Sequence, residues 1–211
     1  FAAILDTLDG RVARLIKGTS KVGKELDSLT DVISFGVAPG FVMYFWAINE
    51  LGKFGWVAVL IYAVCCALRL ARFNLMEIDE NESWKINFFE GVPSPAAAGL
   101  VLLPLIFSLS GIFQFENKAI ISCVMVLTTS FLMISKIPTY SLKRISIPRS
   151  LGIFLLLGIG IYLSLVIFYT FQTLFFTGLI YIGLIPISYF HYRQKNKKFL
   201  ETKEEETEDI L

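Results

Sequence analysis

Histidine and cysteine are scarce here: the 211 residues hold one histidine and three cysteines. Cys65, Cys66 and Cys123 all lie inside apolar runs, which excludes a disulfide framework and any metal-spaced cysteine set. Charge is thin as well, at 18% of residues with a net +1, below the ~25% of an average soluble domain. No basic surplus exists to draw nucleic acid, and no internal repeat is visible. The opening FAAIL is too short to span a bilayer and lacks the basic flank and cleavage site of a signal peptide. An acidic motif follows at once, so the expectation is a chain entered partway through a helix and N-terminally incomplete.

What is abundant is apolar sequence: 55% of residues are hydrophobic, and mean hydropathy is +0.66. Runs near the ~20 residues that cross a bilayer fall at 26–48, 55–75, 94–112, 118–135, 150–169 and 173–191. They predict an all-α integral membrane protein, a polytopic helical bundle with its membrane domain over 1–191 and a charged cytoplasmic tail over 192–211. If Arg14 lies inside, alternating spans put Arg11, Arg14, Lys17, Lys21, Lys24, Arg69, Arg72, Lys85, Lys136, Lys143, Arg144, Arg149, Arg193, Lys195, Lys197, Lys198 and Lys203 on one side. Only Lys53 and Lys118 of the 19 basic residues face the other, so the first side is predicted cytoplasmic. Tyr44, Trp46 and Trp56 fall near outer boundaries as an aromatic belt, and His191 near an inner one. Segment 136–149, KIPTYSLKRISIPR, reads as a basic connector at the lipid surface.

Against this background stand four early carboxylates in the pattern D-x2-D-G-x2-A-R-x8-G-x3-D-x3-D: Asp6, Asp9, Gly10, Ala13, Arg14, Gly23, Asp27 and Asp31. Acids at a membrane are costly and are read first as functional. On helices, Asp6 and Asp9 share one face, and Asp27 and Asp31 share another. Facing one another, they form a cage of hard oxygens suited to Mg²⁺ or Mn²⁺ rather than zinc. Gly10 and Ala13 clear space for a ligand or a neighbouring helix. The fork of Arg14 suits a phosphate, and Gly18, Thr19 and Ser20 form a turn with hydroxyls to offer. Together they describe a metal-assisted site for a diphosphate. Two other readings stand beside it: a solvated helix cap, and an ion-transport site, which the position at a helix end rather than mid-bilayer disfavours.

The run DTLDGRVARLIKGTSKVGKELDSLTD resembles the signature of the CDP-alcohol phosphotransferase family, matching at all eight positions. That resemblance implies a helical membrane enzyme of that family's fold, a homodimer, that cleaves a CDP-linked lipid and passes its phosphatidyl group to an alcohol. It implies that Asp6, Asp9 and Asp27 bind two divalent metal ions, with Asp31 completing the site as general base. It places Gly10, Ala13, Arg14 and Ser20 at the CDP-diacylglycerol donor.

Downstream, SLTDVISFGVAPG, RLARFN and FEGVPSPAAAG are similar to the bacterial and archaeal branch of the family that uses L-serine as acceptor. The reaction implied is CDP-diacylglycerol plus serine giving phosphatidylserine and CMP, by direct transfer at the cytoplasmic face of the cell membrane. Arg72, aided by Arg69 and Asn74, is the candidate for the serine carboxylate, because a guanidinium fork suits one; snorkelling to headgroups is the alternative. Ser94 is expected to cap the helix that Pro95 begins. Family members that use glycerol 3-phosphate or inositol phosphate are the near alternative, and a divalent-cation transporter the distant one.

Overall fold

The computed structural model describes residues 21–75, 88–111, 116–140 and 152–208. Asp6, Asp9, Gly10, Ala13, Arg14 and Ser20 lie outside the described residues. Two compact units are present.

The first unit opens with α1 (Lys21–Asp31), which runs without a break into a π-helical stretch, Val32–Val37, and then α2 (Ala38–Trp46). Pro39 accounts for the change of pitch. It has no N–H for the Phe35 carbonyl four residues back, and its ring crowds that carbonyl in an α-ladder. The ladder widens instead, with the Ala38 N–H donating to Ile33 O, the i+5 pattern of a π turn. A 3-10 turn, Ile48–Leu51, leads to α3 (Lys53–Leu75).

Glu25–Trp46 and Lys53–Asn74 are both long and apolar enough to cross a membrane. They pack closely because small residues face large ones. A Cβ placed on Gly36 would meet the Cys66 Cβ at 2.9 Å, and one on Gly40 would meet Val59 Cγ1 at 2.9 Å. This Gly-x3-Gly face is the membrane-helix solution to close approach.

Helices α4 (Ser94–Leu109) and α5 (Lys118–Ile134) complete the unit. Predicted as spans, they are apolar helices of 16 and 17 residues, about 25 Å long at 1.5 Å per residue. The first stops short of the expected residue 112 because Ser110 turns its N–H back to Ile106 and Phe107, and Gly111 follows at φ 72°, a left-handed helix end that favours glycine. The core holds Met43, Ile48, Tyr62, Val101, Val126 and Met133, all fully buried. Around it α3 packs against α5 and the π stretch, and α4 against α5.

The second unit contains a feature absent from the all-helical expectation. β1 (Phe88–Glu90) pairs antiparallel with β2 (Pro138–Tyr140), with Phe89 opposite Thr139. Pro138 biases Ile137 away from helical backbone, so the chain leaves α5 extended. The Gly91 N–H then donates to Ile137 O, and Thr139 Oγ1 donates to Gly91 O at 2.8 Å.

Helix α6 (Gly152–Phe168) has no buried residue, and α7 (Thr170–Glu208) carries a third stretch able to cross a membrane, Thr170–Lys197. Helices apolar all round belong in lipid. α7 also continues through the predicted tail boundary, so the charged end extends the last span. His191 lies on α7, exposed, 3.0 Å from Tyr140 Oη through Nδ1. In the first unit, Tyr44 meets Trp56 edge to face at 5.3 Å between ring centroids.

With three helices long and apolar enough to cross a bilayer, and three shorter apolar ones, all among the described residues, the chain is a helical membrane protein.

Candidate active site

Two of the four motif carboxylates are described, and both lie on α1. Asp27 is exposed and Asp31 is half-buried, one helical turn further on and directly before the π stretch. The helix therefore carries two hard-oxygen donors along one side, one facing water and one partly withdrawn from it. That donor set fits Mg²⁺ or Mn²⁺. Among the described residues no group of three acidic, histidine or cysteine side chains gathers as a cation site; Asp6 and Asp9, the other half of the predicted cage, are outside them.

The end of α3 is tied to α1 between these acids. Asn74 Nδ2 donates to Ser28 Oγ at 2.9 Å, so Asn74 holds the residue next to Asp27. The serine-binding expectation for Asn74 did not foresee that bond. Arg72 is half-buried and donates from Nη1 to Ile134 O at 2.8 Å. A cation on the last carbonyl of α5 also complements the negative end of that helix. A guanidinium has five N–H donors, so this bond fixes the side chain without exhausting it.

Arg69 is placed differently from its neighbour one turn on. It is 9% exposed, donates from Nη1 to Ser94 Oγ at 2.9 Å and sits 5.9 Å from the centroid of the Phe73 ring. Ser94 is itself buried and makes no cap: Pro93 occupies the cap position, and no side-chain bond closes the helix end. The buried guanidinium takes the hydroxyl that was expected to cap the backbone. Cys66, one turn before Arg69 on α3, is buried against Gly36 of the π stretch that follows Asp31.

The structure thus joins Arg69 to Ser94, and Asn74 to Ser28 beside Asp27. Ser94 as a partner of arginine, and Tyr62 as a donor to the Phe35 carbonyl at 2.6 Å, were not foreseen. The proline between Gly36 and Gly40 was the available signal for the second; nothing local signalled the first.

Comparison with known proteins adds to this geometry. A family model described as CDP-alcohol phosphatidyltransferase matches residues 1–137, which take in the aspartate motif and α1 to α5. A protein of Mycobacterium leprae named CDP-diacylglycerol–serine O-phosphatidyltransferase is 37% identical over 193 residues, 91% of this chain and 64% of that protein. One of the same name from Mycobacterium tuberculosis is 41% identical over 167 residues, 76% of this chain and 56% of the relative. The Bacillus subtilis protein of that name is 38% identical over 140 residues, 66% of this chain and 71% of its own length. The chain therefore spans under two thirds of the length of both mycobacterial relatives.

Proposed function

The chain belongs to the CDP-alcohol phosphatidyltransferase family, and on that premise we propose that it transfers the phosphatidyl group of CDP-diacylglycerol to L-serine, releasing CMP. The observation that carries the acceptor is the shared name of relatives 37–41% identical to it. The motif at 6–31 carries the donor.

In the proposed reaction the serine hydroxyl oxygen attacks the phosphorus that bears the diacylglycerol. A P–O bond forms there, the P–O bond to the CMP moiety breaks, and CMP leaves with that oxygen. Asp31 takes the hydroxyl proton; a carboxylate held partly out of water suits that task. Asp6, Asp9, Asp27 and Asp31 are the residues to hold two divalent ions, Mg²⁺ or Mn²⁺, and metal bound there would neutralise charge on the diphosphate. Gly10 and Ala13 leave room for the donor, while Arg14 and Ser20 offer it hydrogen bonds. Arg72, fixed by Ile134 and with donors to spare, orients the serine carboxylate. Arg69 and Asn74 support it through Ser94 and Ser28.

Transfer is direct, the site faces the cytoplasm as the skew of basic residues supports, and the working form is a homodimer. The membrane domain covers 1–191, with 192–211 as its cytoplasmic tail.

One experiment tests the reading. Purified protein is given CDP-diacylglycerol with serine, glycerol 3-phosphate or inositol phosphate, and CMP is followed. Serine-dependent CMP release is expected; release only with a phosphorylated acceptor moves the chain to another branch of the family. Metal flux without CMP overturns the enzyme reading.

A further inference from the structure

The mechanism so far makes no use of Tyr62, the largest fully buried side chain among the described residues. Its hydroxyl donates at 2.6 Å to the carbonyl of Phe35, twenty-seven residues earlier in the chain. That carbonyl is the one Pro39 leaves without its α-helical donor. A buried backbone acceptor that loses a donor is costly, and the Tyr62 hydroxyl bonds this one from a neighbouring helix. The π stretch it braces begins at the residue after Asp31. Gly36, next after this carbonyl, rests against Cys66, and Gly40, in α2, against Val59, both on the same helix as Tyr62. The π stretch is thus held against α3 at two levels, by Tyr62 and by Cys66, while Val59 packs beyond it.

A π turn holds one residue more than an α turn. Were it to close to α, everything N-terminal would rotate by roughly 100° about the helix axis relative to α2. Asp27 and Asp31 are what lies N-terminal. We propose that Tyr62 is a positioning residue for the carboxylate site: its bond to Phe35 O holds the π turn that sets how Asp27 and Asp31 are turned relative to α3. This rests on the reading of those two aspartates as metal ligands and base. Tyr62 touches no reacting atom; it acts through the backbone.

The test uses the full chain in detergent, with Mn²⁺ binding followed by electron paramagnetic resonance and CMP release measured in parallel. Tyr62→Phe keeps the ring and removes only the hydroxyl. It is expected to raise the Mn²⁺ midpoint about tenfold, within the range known for groups that orient metal ligands. It should lower kcat while leaving the KM for CDP-diacylglycerol unchanged. Pro39→Ala gives the Phe35 carbonyl a backbone donor and lets the turn relax to α. It should produce the same Mn²⁺ shift with a Tm equal to or above that of the unmodified protein, a pairing that simple loss of stability cannot produce.

Val59→Ala is the control. It loosens the same interface without touching the bond, so it should lower Tm and leave the Mn²⁺ midpoint in place. The proposal is overturned if Tyr62→Phe leaves the midpoint unchanged, or if Val59→Ala moves it as far. Protein that binds Mn²⁺ yet releases no CMP overturns the proposed transfer reaction, and the Mn²⁺ comparison still decides the role of Tyr62.

Discussion

Arg69 donates from Nη1 to Ser94 Oγ at 2.9 Å, and both side chains are buried. The pair joins α3 to the first turn of α4. Removing the hydroxyl strands a charged donor away from water, which costs on the order of 1–3 kcal/mol. Ser94→Ala is therefore expected to lower thermal stability in detergent by that amount, and Ser94→Thr to retain most of it. An unchanged unfolding midpoint for Ser94→Ala would show that the bond does not hold these helices.

Asp31→Asn keeps the shape of the side chain and removes its ability to take a proton. CMP release should fall by roughly 10²–10⁴-fold, the usual contribution of a general base, while CDP-diacylglycerol remains bound. Equilibrium binding of the donor beside a turnover assay checks both halves. A variant that keeps a tenth of the normal rate would remove Asp31 from the role of base.

Chelation addresses the carboxylates as a set. Excess EDTA should stop CMP release, and added Mg²⁺ or Mn²⁺ should restore it. Asp27→Asn should move the restoring concentration upward. Turnover that persists after full chelation would sink the metal assignment for Asp6, Asp9, Asp27 and Asp31 together.

Arg72 has its own test, distinct from that of Arg69. Arg72→Ala should raise the KM for serine by about 10- to 100-fold, as for a lost bond between charged groups worth ~1.5–3 kcal/mol, with little change for CDP-diacylglycerol. A serine KM that does not move would limit Arg72 to its contact with the end of α5.

Close helix contact sets a fifth expectation. Gly40→Ala would put a Cβ 2.9 Å from Val59 Cγ1, and overpacking of this kind costs ~1–3 kcal/mol. Pairing it with Val59→Ala should recover part of the loss, since residues in contact are not additive. Unfolding midpoints of the two single variants and the double variant measure the coupling. Strict additivity would mean that the helices simply move apart.

Much of this architecture was legible in advance. Five of the six predicted apolar runs begin within three residues of a helix in the structure, and the sixth begins inside the continuous rod from Lys21 to Trp46. Length and apolarity are local properties, so they survive being read one residue at a time. The ladder between Phe88–Glu90 and Pro138–Tyr140 was not legible, because three-residue strands carry no period and their pairing joins segments about fifty residues apart. The carboxylate motif was legible for another reason: acids beside apolar runs stand out from composition alone. The partners of Arg69 and Asn74 were not, since any hydroxyl in the neighbouring helices could have served.

The sequence by itself determined that the chain lives in a membrane and that it carries the aspartate motif, Asp6, Asp9, Asp27 and Asp31, on which the proposed chemistry rests. Hydropathy, charge and spacing are enough for that. Only the tertiary structure decided how Asp27 and Asp31 are presented. Their orientation depends on a π turn that Pro39 makes necessary and that Tyr62, from a different helix, makes affordable. A proline announces that a carbonyl loses its donor; which side chain then supplies one is settled only when the helices pack.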